Sequence, residues 1–421
     1  MRWSVLVFPL WFSVGCAPLP TAPDAGLSPI GFGVRSAANL DDNRSGSVTA
    51  ARLQTWLSDW AAQRPEGLTG DLVILQLSPA SRGGRYVAPQ PGVRVYDAVD
   101  LDMFVEPRNN GLAAIGRAPA NGVRVDRLLR AYGVRPDVDF LLLTQGEATR
   151  GGLETLARTW LTLRYWGVPH TAMGVLRDPI SEAVPTSART DTVAAHPFSG
   201  TLRVSSLGLE GRVLVAGLSD VRDAIGKAGI VDVRAAAEFD GLEFGSAPTD
   251  STCLAGAPRC APTFSGHIAG AVNLPVERVV EGSRLKSLEE LDAVAAGFDR
   301  NAPVIVYATD DGASAVVTFA LVGVVGLSAR WYAGGFIEWG ALNASHPVAA
   351  LRVLPEASAW RTDTDQWTGG ERRWADADRA VRPLVFDPMV AAVDRVTQTD
   401  ADYPVNPPEL PAPGAGIQDC R

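Results

Sequence analysis

An α/β fold of two domains, each a central parallel sheet flanked by helices, is what this sequence predicts. Three observations lead there. Short unbroken apolar runs such as Leu72-Val73-Ile74-Leu75 and Val304-Ile305-Val306-Tyr307 have the length of strands covered on both faces. Segments with helical apolar spacing alternate with them, and Gly133, Gly167 and Gly226 close several of these. The order strand, loop, helix, strand, glycine then occurs twice, and such alternation implies parallel sheets with helices on both sides.

The first copy, about 48–178, opens with a helix at 49–60. A strand is expected at 71–77, a helix at 125–132, a strand at 139–143, a helix at 153–165 and a strand at 170–176. Residues 179–214, with Pro, Ser and Thr, form a linker. The second copy, 215–342, runs helix 219–226, strand 229–233, helix 288–298, strand 303–307, helix 313–326 and strand 329–332. Its strongly apolar run 315–327 reads as a buried helix. The tail, 343–421, carries Trp360, Trp367 and Trp374, and the proline-bearing stretch 403–413 is expected to be extended. Asp41, Asn43, Ser45 and Gly46 imitate the first, third, fifth and sixth positions of a calcium loop. Arg52 stands at the twelfth, where a bidentate glutamate is required, so a polar turn is the better reading.

With 421 residues, 46% hydrophobic and 20% charged, the chain has the composition of two ordinary globular domains plus flanking segments. A net charge of -9 argues against nucleic acid, whose binding needs clustered cations. Residues 1–16 have Arg2, a short apolar stretch and Ser13-Val14-Gly15 before Cys16. That is the layout of a lipoprotein-type signal, with Cys16 lipidated; a plain cleaved signal with an incidental cysteine is the alternative. Residues 17–47 then form a tether, and the protein is expected to be exported and held at the cell envelope by its lipid, facing the periplasm or the surface. Cys253 and Cys260 lie in a polar insertion, and after export they are expected to pair, a ring worth roughly 2.5 kcal/mol. Cys420 has no assigned role.

A set of short segments in the second copy carries a family resemblance. Asp232-Val233-Arg234 is followed by Glu238-Phe239, then by Ser265-Gly266-His267-Ile268-Ala269-Gly270, and near the end by Gly334-Gly335-Phe336-Ile337-Glu338-Trp339. Together they resemble the two signature segments of the rhodanese (thiosulfate sulfurtransferase) family. The first copy resembles it only in layout, through Val48-Thr49, the strand at Asp71 and the block 158–167, as in the degenerate N-terminal half of tandem sulfurtransferases. The resemblance implies two rhodanese-like domains. The residues themselves read as mainly structural: Asp232 and Arg234 pair or cap loops at a strand end, Gly266 and Gly270 allow a tight approach around His267, and His267 serves loop hydrogen bonds. No metal and no cofactor are expected.

The chemistry of that family sits in the loop after the Val304–Tyr307 run, which starts there with a cysteine. Here the loop reads Ala308-Thr309-Asp310-Asp311-Gly312-Ala313-Ser314. Alanine can neither take up nor donate sulfur. Asp310 and Asp311 add charge where an anion would bind, and two unit charges ~4 Å apart repel by roughly 1 kcal/mol even in water. Glu238 stands where many thiosulfate-using tandem members carry an arginine. The first copy's loop, 144–152, also lacks cysteine; Arg150 there is either an anion contact or a solvated charge. Thr144 and Ser314 have no histidine nearby in sequence to activate them. Two functions remain open: a non-catalytic module holding an envelope protein or small ligand, or a sulfurtransferase using Cys253, Cys260 or Cys420.

Overall fold

The computed structural model describes residues 46–80, 84–109, 114–197, 200–241, 266–309, 312–343, 362–363 and 394–403. All four cysteines, residues 1–45, Asp310, Asp311 and the tail tryptophans lie outside them.

The first sheet is built from β1 (Ser47–Val48), β2 (Leu72–Gln76), β3 (Val93–Asp97), β6 (Phe140–Thr144) and β7 (Met173–Leu176), with β4 (Val105–Asn109) and β5 (Ala114–Pro119) forming a separate antiparallel hairpin. Its order is β1-β7-β6-β2-β3, all neighbours parallel. β2 and β6 are buried at every position because both faces are covered. Leu72, Ile74, Phe140 and Leu142 meet Trp56 and Trp60 of the opening segment. Val73, Leu75, Leu141 and Leu143 face the other way, onto α2 (Gly122–Tyr132) and α3 (Arg150–Tyr165). Caps fix these helices: Asn121 accepts from Arg124 N, Thr149 from Gly152 N, and Gly133 ends α2 in the left-handed region at φ 61°.

The second sheet has β8 (Gly229–Asp232), β10 (Ala271–Asn273), β11 (Val304–Tyr307) and β12 (Ala329–Trp331), in the order β10-β8-β11-β12, again all parallel. Around it lie α4 (Leu218–Ala224), α5 (Leu288–Ala295), α6 (Gly312–Phe319) and α7 (Gly335–Asn343). β9 (His267–Ile268) pairs antiparallel with β13 (Thr362–Asp363), so the tail returns to this half. A last helix, α8 (Arg395–Asp402), follows.

The two halves share one core. α3 is buried almost all round, which a helix shows only when it is sandwiched. One side packs on the first sheet and the other on α6, where Trp160 meets Phe319 edge-on at 5.1 Å. A single apolar cluster accordingly runs from Val73 and Leu143 through Trp160 to Val306 and Trp331.

Some expected elements differ in detail. The helix at 49–60 breaks at Asp59, whose side chain instead caps the next short turn at Ala62 N; α1 proper is Ala50–Ser58. The helix at 313–326 is α-helical only to Phe319 and then widens to a π-helical turn, Ala320–Val325. Gly323 lies there against Phe319 and Trp160, with a Cβ placed only 2.7 Å from the Phe319 ring. β3 and the β4–β5 hairpin were not foreseen, nor was α8.

Candidate functional site

The site lies where β11 ends and α6 begins. Tyr307 is the last strand residue, Ala308 and Thr309 follow, and Gly312 opens α6. Ala308 is buried, 3% exposed, and presents no reactive group. Its carbonyl accepts from Phe336 N at 2.8 Å. Gly335, at φ 56°, makes that approach possible: a Cβ there would stand 2.6 Å from the Ala308 oxygen and 2.9 Å from that of Thr309. Thr309 Oγ1 donates to Glu238 Oε1 at 3.2 Å. Ser314 is fully buried and accepts from Trp331 Nε1 at 3.2 Å, a packing position with no access for substrate.

The signature residues surround this loop as a scaffold. Arg234 grips Asp232 with Nε at 2.9 Å from Oδ1 and donates to the Gly266 carbonyl at 2.6 Å. Burial works against the Arg234 charge, but Asp232 outweighs it and holds the guanidinium above its ordinary pKa. The guanidinium also lies over the Phe336 ring at 4.1 Å. His267 stacks on Phe239 at 3.8 Å, and its Nδ1 donates to the Phe239 carbonyl at 2.9 Å, which fixes the tautomer. Gly266 and Gly270 sit at φ 105° and 75° on either side. Tyr307 accepts from Ile268 N at 3.0 Å, and burial raises its hydroxyl pKa well above normal. Glu338 and Trp339 are buried beneath the loop. Burial pushes Glu338 up to about 7; the Tyr332 hydroxyl opposes this and the Asp394 carboxylate adds to it. Gly334 leaves room for that carboxyl, since a Cβ would fall 2.1 Å from its Oε2.

The first half closes the site, and the sequence held no signal for it. Glu154 of α3 reaches the head of α6, where a Cβ on Gly312 would be 2.7 Å from its Oε2 and 3.2 Å from Arg158 Nη1. Arg150 holds Glu154 at 3.1 Å, so Arg150 is an ion-pair partner in this arrangement. Arg158, its side chain 3% exposed, lies 3.9 Å from both Glu154 and Asp102. Among the described residues, Thr144 and its loop lead into the N-terminus of α3, the end that also carries Arg150 and Glu154. No group of three or more metal-ligating side chains forms among the described residues. The arrangement can bind and orient, and at the head of its loop stands the buried methyl of Ala308.

These features define a class, parallel α/β units with a loop and helix N-terminus at the sheet's carboxyl edge. Residues 218–342 match the rhodanese-like domain family. The chain is 26% identical over 317 residues to the 3-mercaptopyruvate sulfurtransferase of Escherichia coli K12, covering 71% of this chain and 99% of that one. It is 31% identical over 113 residues to the thiosulfate sulfurtransferase of Corynebacterium glutamicum, covering 26% and 35%. Among solved structures it is similar in fold to an anaerobic ergothioneine biosynthesis enzyme from Chlorobium limicola, with TM-score 0.50, 12% identity, and 71% and 68% of the two chains covered. The protein thus contains a rhodanese-like domain and is homologous to 3-mercaptopyruvate and thiosulfate sulfurtransferases.

Proposed function

We propose that this protein is a tandem rhodanese-like module of the cell envelope that binds a protein or small ligand and does not transfer sulfur from the usual loop. The observation that carries this reading is Ala308: the position at the head of the loop is filled by a buried methyl group. Covalent sulfur transfer needs a thiolate able to attack and then leave. The carboxylate of Glu238 beside the loop also disfavours a dianionic donor. Export would come from a signal at 1–16 with a lipid on Cys16, and Cys253 and Cys260 would form a structural bridge.

A second reading is favoured by one observation, the similarity to 99% of the length of a 3-mercaptopyruvate sulfurtransferase. Under it, Cys253, Cys260 or Cys420 carries the sulfur. Thiocyanate formation from cyanide is measured with the purified full chain, using thiosulfate and 3-mercaptopyruvate as donors. The binding reading expects turnover no greater than that of a variant with all four cysteines changed to serine. Turnover lost only on Cys253→Ser, Cys260→Ser or Cys420→Ser establishes the second reading instead.

A further inference from the structure

The cleft between the halves is filled by a piece of the chain that lies beyond the rhodanese-like domain. α8 spells Arg395-Val396-Thr397-Gln398-Thr399-Asp400-Ala401-Asp402, with almost no apolar stripe. A helix of that length does not persist alone in water, so its partners must hold it.

Both ends are anchored, each to a different half. At the head, Asp394 takes the left-handed conformation, φ 58°. Its Oδ1 accepts from Ser219 N at 3.0 Å and its Oδ2 from the Ser219 hydroxyl, so it caps α4 of the second half. Gly217 permits this contact, because a Cβ there would stand 2.3 Å from Asp394 Oδ1 and 3.3 Å from Thr397 Oγ1. Near the other end, Asp400 is 2% exposed. Arg108 of β4 donates to its carboxylate at 2.6 Å, and Tyr165 of α3 donates at 3.0 Å. Arg212, stacked 4.5 and 3.9 Å over Tyr165 and Trp166, adds a second positive charge towards it. Tyr403 then meets Trp166 edge-on at 5.5 Å, donates to Asp126 at 2.5 Å, and lies over Gly122, where a Cβ would touch its ring at 2.3 Å.

We propose that residues 394–403 are a clasp: a short acidic helix seated in a cationic, aromatic-walled cleft formed by α2, α3 and β4 of the first half and α4 of the second, locking the halves in register. A charged residue is rarely buried without a partner, and Asp400 is matched by two guanidiniums and a hydroxyl. The carboxylate at the clasp's head adds its charge to the field at Glu338, in the helix whose first residues brace Ala308 and Thr309. Because one short helix carries both anchors and depends on both to persist, loosening one end loosens the other, and this coupling is reciprocal.

Hydrogen exchange of the full chain tests it. Three variants are compared: Asp400→Asn, which cuts the first-half anchor; Asp394→Ala, which cuts the second-half anchor; and Tyr403→Phe, which removes one hydroxyl and keeps the ring. Asp400→Asn should speed exchange about tenfold in α8, and also in α4, which it does not touch. Asp394→Ala should speed exchange in α8 and at the start of α2. Tyr403→Phe should give the same pattern at smaller amplitude, and β2, β6 and β11 should not change. If each variant affects only the half it contacts, the ends are independent and the clasp is refuted. Faster exchange through β2, β6 and β11 together with α8 would also overturn it, since the helix would then be part of the general fold.

Discussion

The carboxyl of Glu338 offers a direct measure of how the fold treats the floor of the site. It is buried, 5% exposed, and its pKa is raised from 4.5 to about 7, chiefly by burial. Because the folded value lies above the unfolded one, the folded protein holds the proton more tightly. Stability from this group is therefore complete below about pH 4.5 and is lost as pH rises to 7. A shift of that size corresponds to about 3 kcal/mol across the window. Glu338→Gln cannot ionise and should escape the loss. Urea unfolding of wild type and variant at half-unit steps from pH 4 to 8 gives the difference. The variant should gain about 3 kcal/mol on wild type between pH 4.5 and 7, then hold that gain. Contributions from Asp100, Asp126 and Asp400, which burial also raises, are common to both and cancel. Parallel pH profiles would mean that Glu338 stays solvated or finds a cation, and the account of the buried floor would fail.

Other outcomes follow from the same structure. Ala308→Cys alone should give a slowly alkylated thiol and little thiocyanate: the α6 N-terminus favours thiolate by up to ~2 kcal/mol, but Glu238 and the sequence neighbours Asp310 and Asp311 oppose it. Adding Asp310→Gly and Asp311→Ser should raise the alkylation rate near neutral pH, and efficient turnover by the single variant would refute the electrostatic reading. Trp160→Ala removes the ring that joins α3 to α6, should cost about 3–5 kcal/mol, and should lower the unfolding midpoint of both halves together. Separate midpoints in calorimetry would show that the shared core does not couple them. Cys16→Ser should move the protein from the membrane to the soluble fraction of a cell extract; equal fractionation of wild type and variant would end the lipid-anchor proposal.

The strands at the centre of each sheet were legible because burial on both faces leaves an unbroken apolar run, as in β2, β6 and β11. α3 was legible from the helical spacing of its apolar residues over 153–165 and from Gly167 beyond its end. β3 was not, since Val93-Arg94-Val95-Tyr96-Asp97 at the sheet edge mixes half-buried charged and buried positions and looks like loop. The β4–β5 hairpin contains Glu106-Pro107-Arg108, and proline there hides a strand. In the site, the second half's contribution was readable as short contiguous motifs; Arg234 pairs with Asp232, and His267 donates to the Phe239 carbonyl. Glu154 and Arg158 were not readable, because their place beside Gly312 exists only once two distant helices pack. α8 was hidden for a related reason: its polar sequence has no helical stripe, and its stability comes from cleft residues elsewhere in the chain.

The signature residues of the second half each answer a need of the fold itself. Arg234 neutralises Asp232, satisfies the Gly266 carbonyl and covers Phe336. Removing it would strand a buried charge, a loss of about 3–5 kcal/mol. His267 supports the Phe239 carbonyl, and the glycines at 266, 270 and 335 hold backbone conformations that other residues resist. Each is required by the fold whatever the loop does. Ala308 serves the fold too: its carbonyl accepts from Phe336 N, and its buried methyl belongs to the shared apolar core. The signature therefore reports the architecture, and what the site does has to be argued from the residues of its loop.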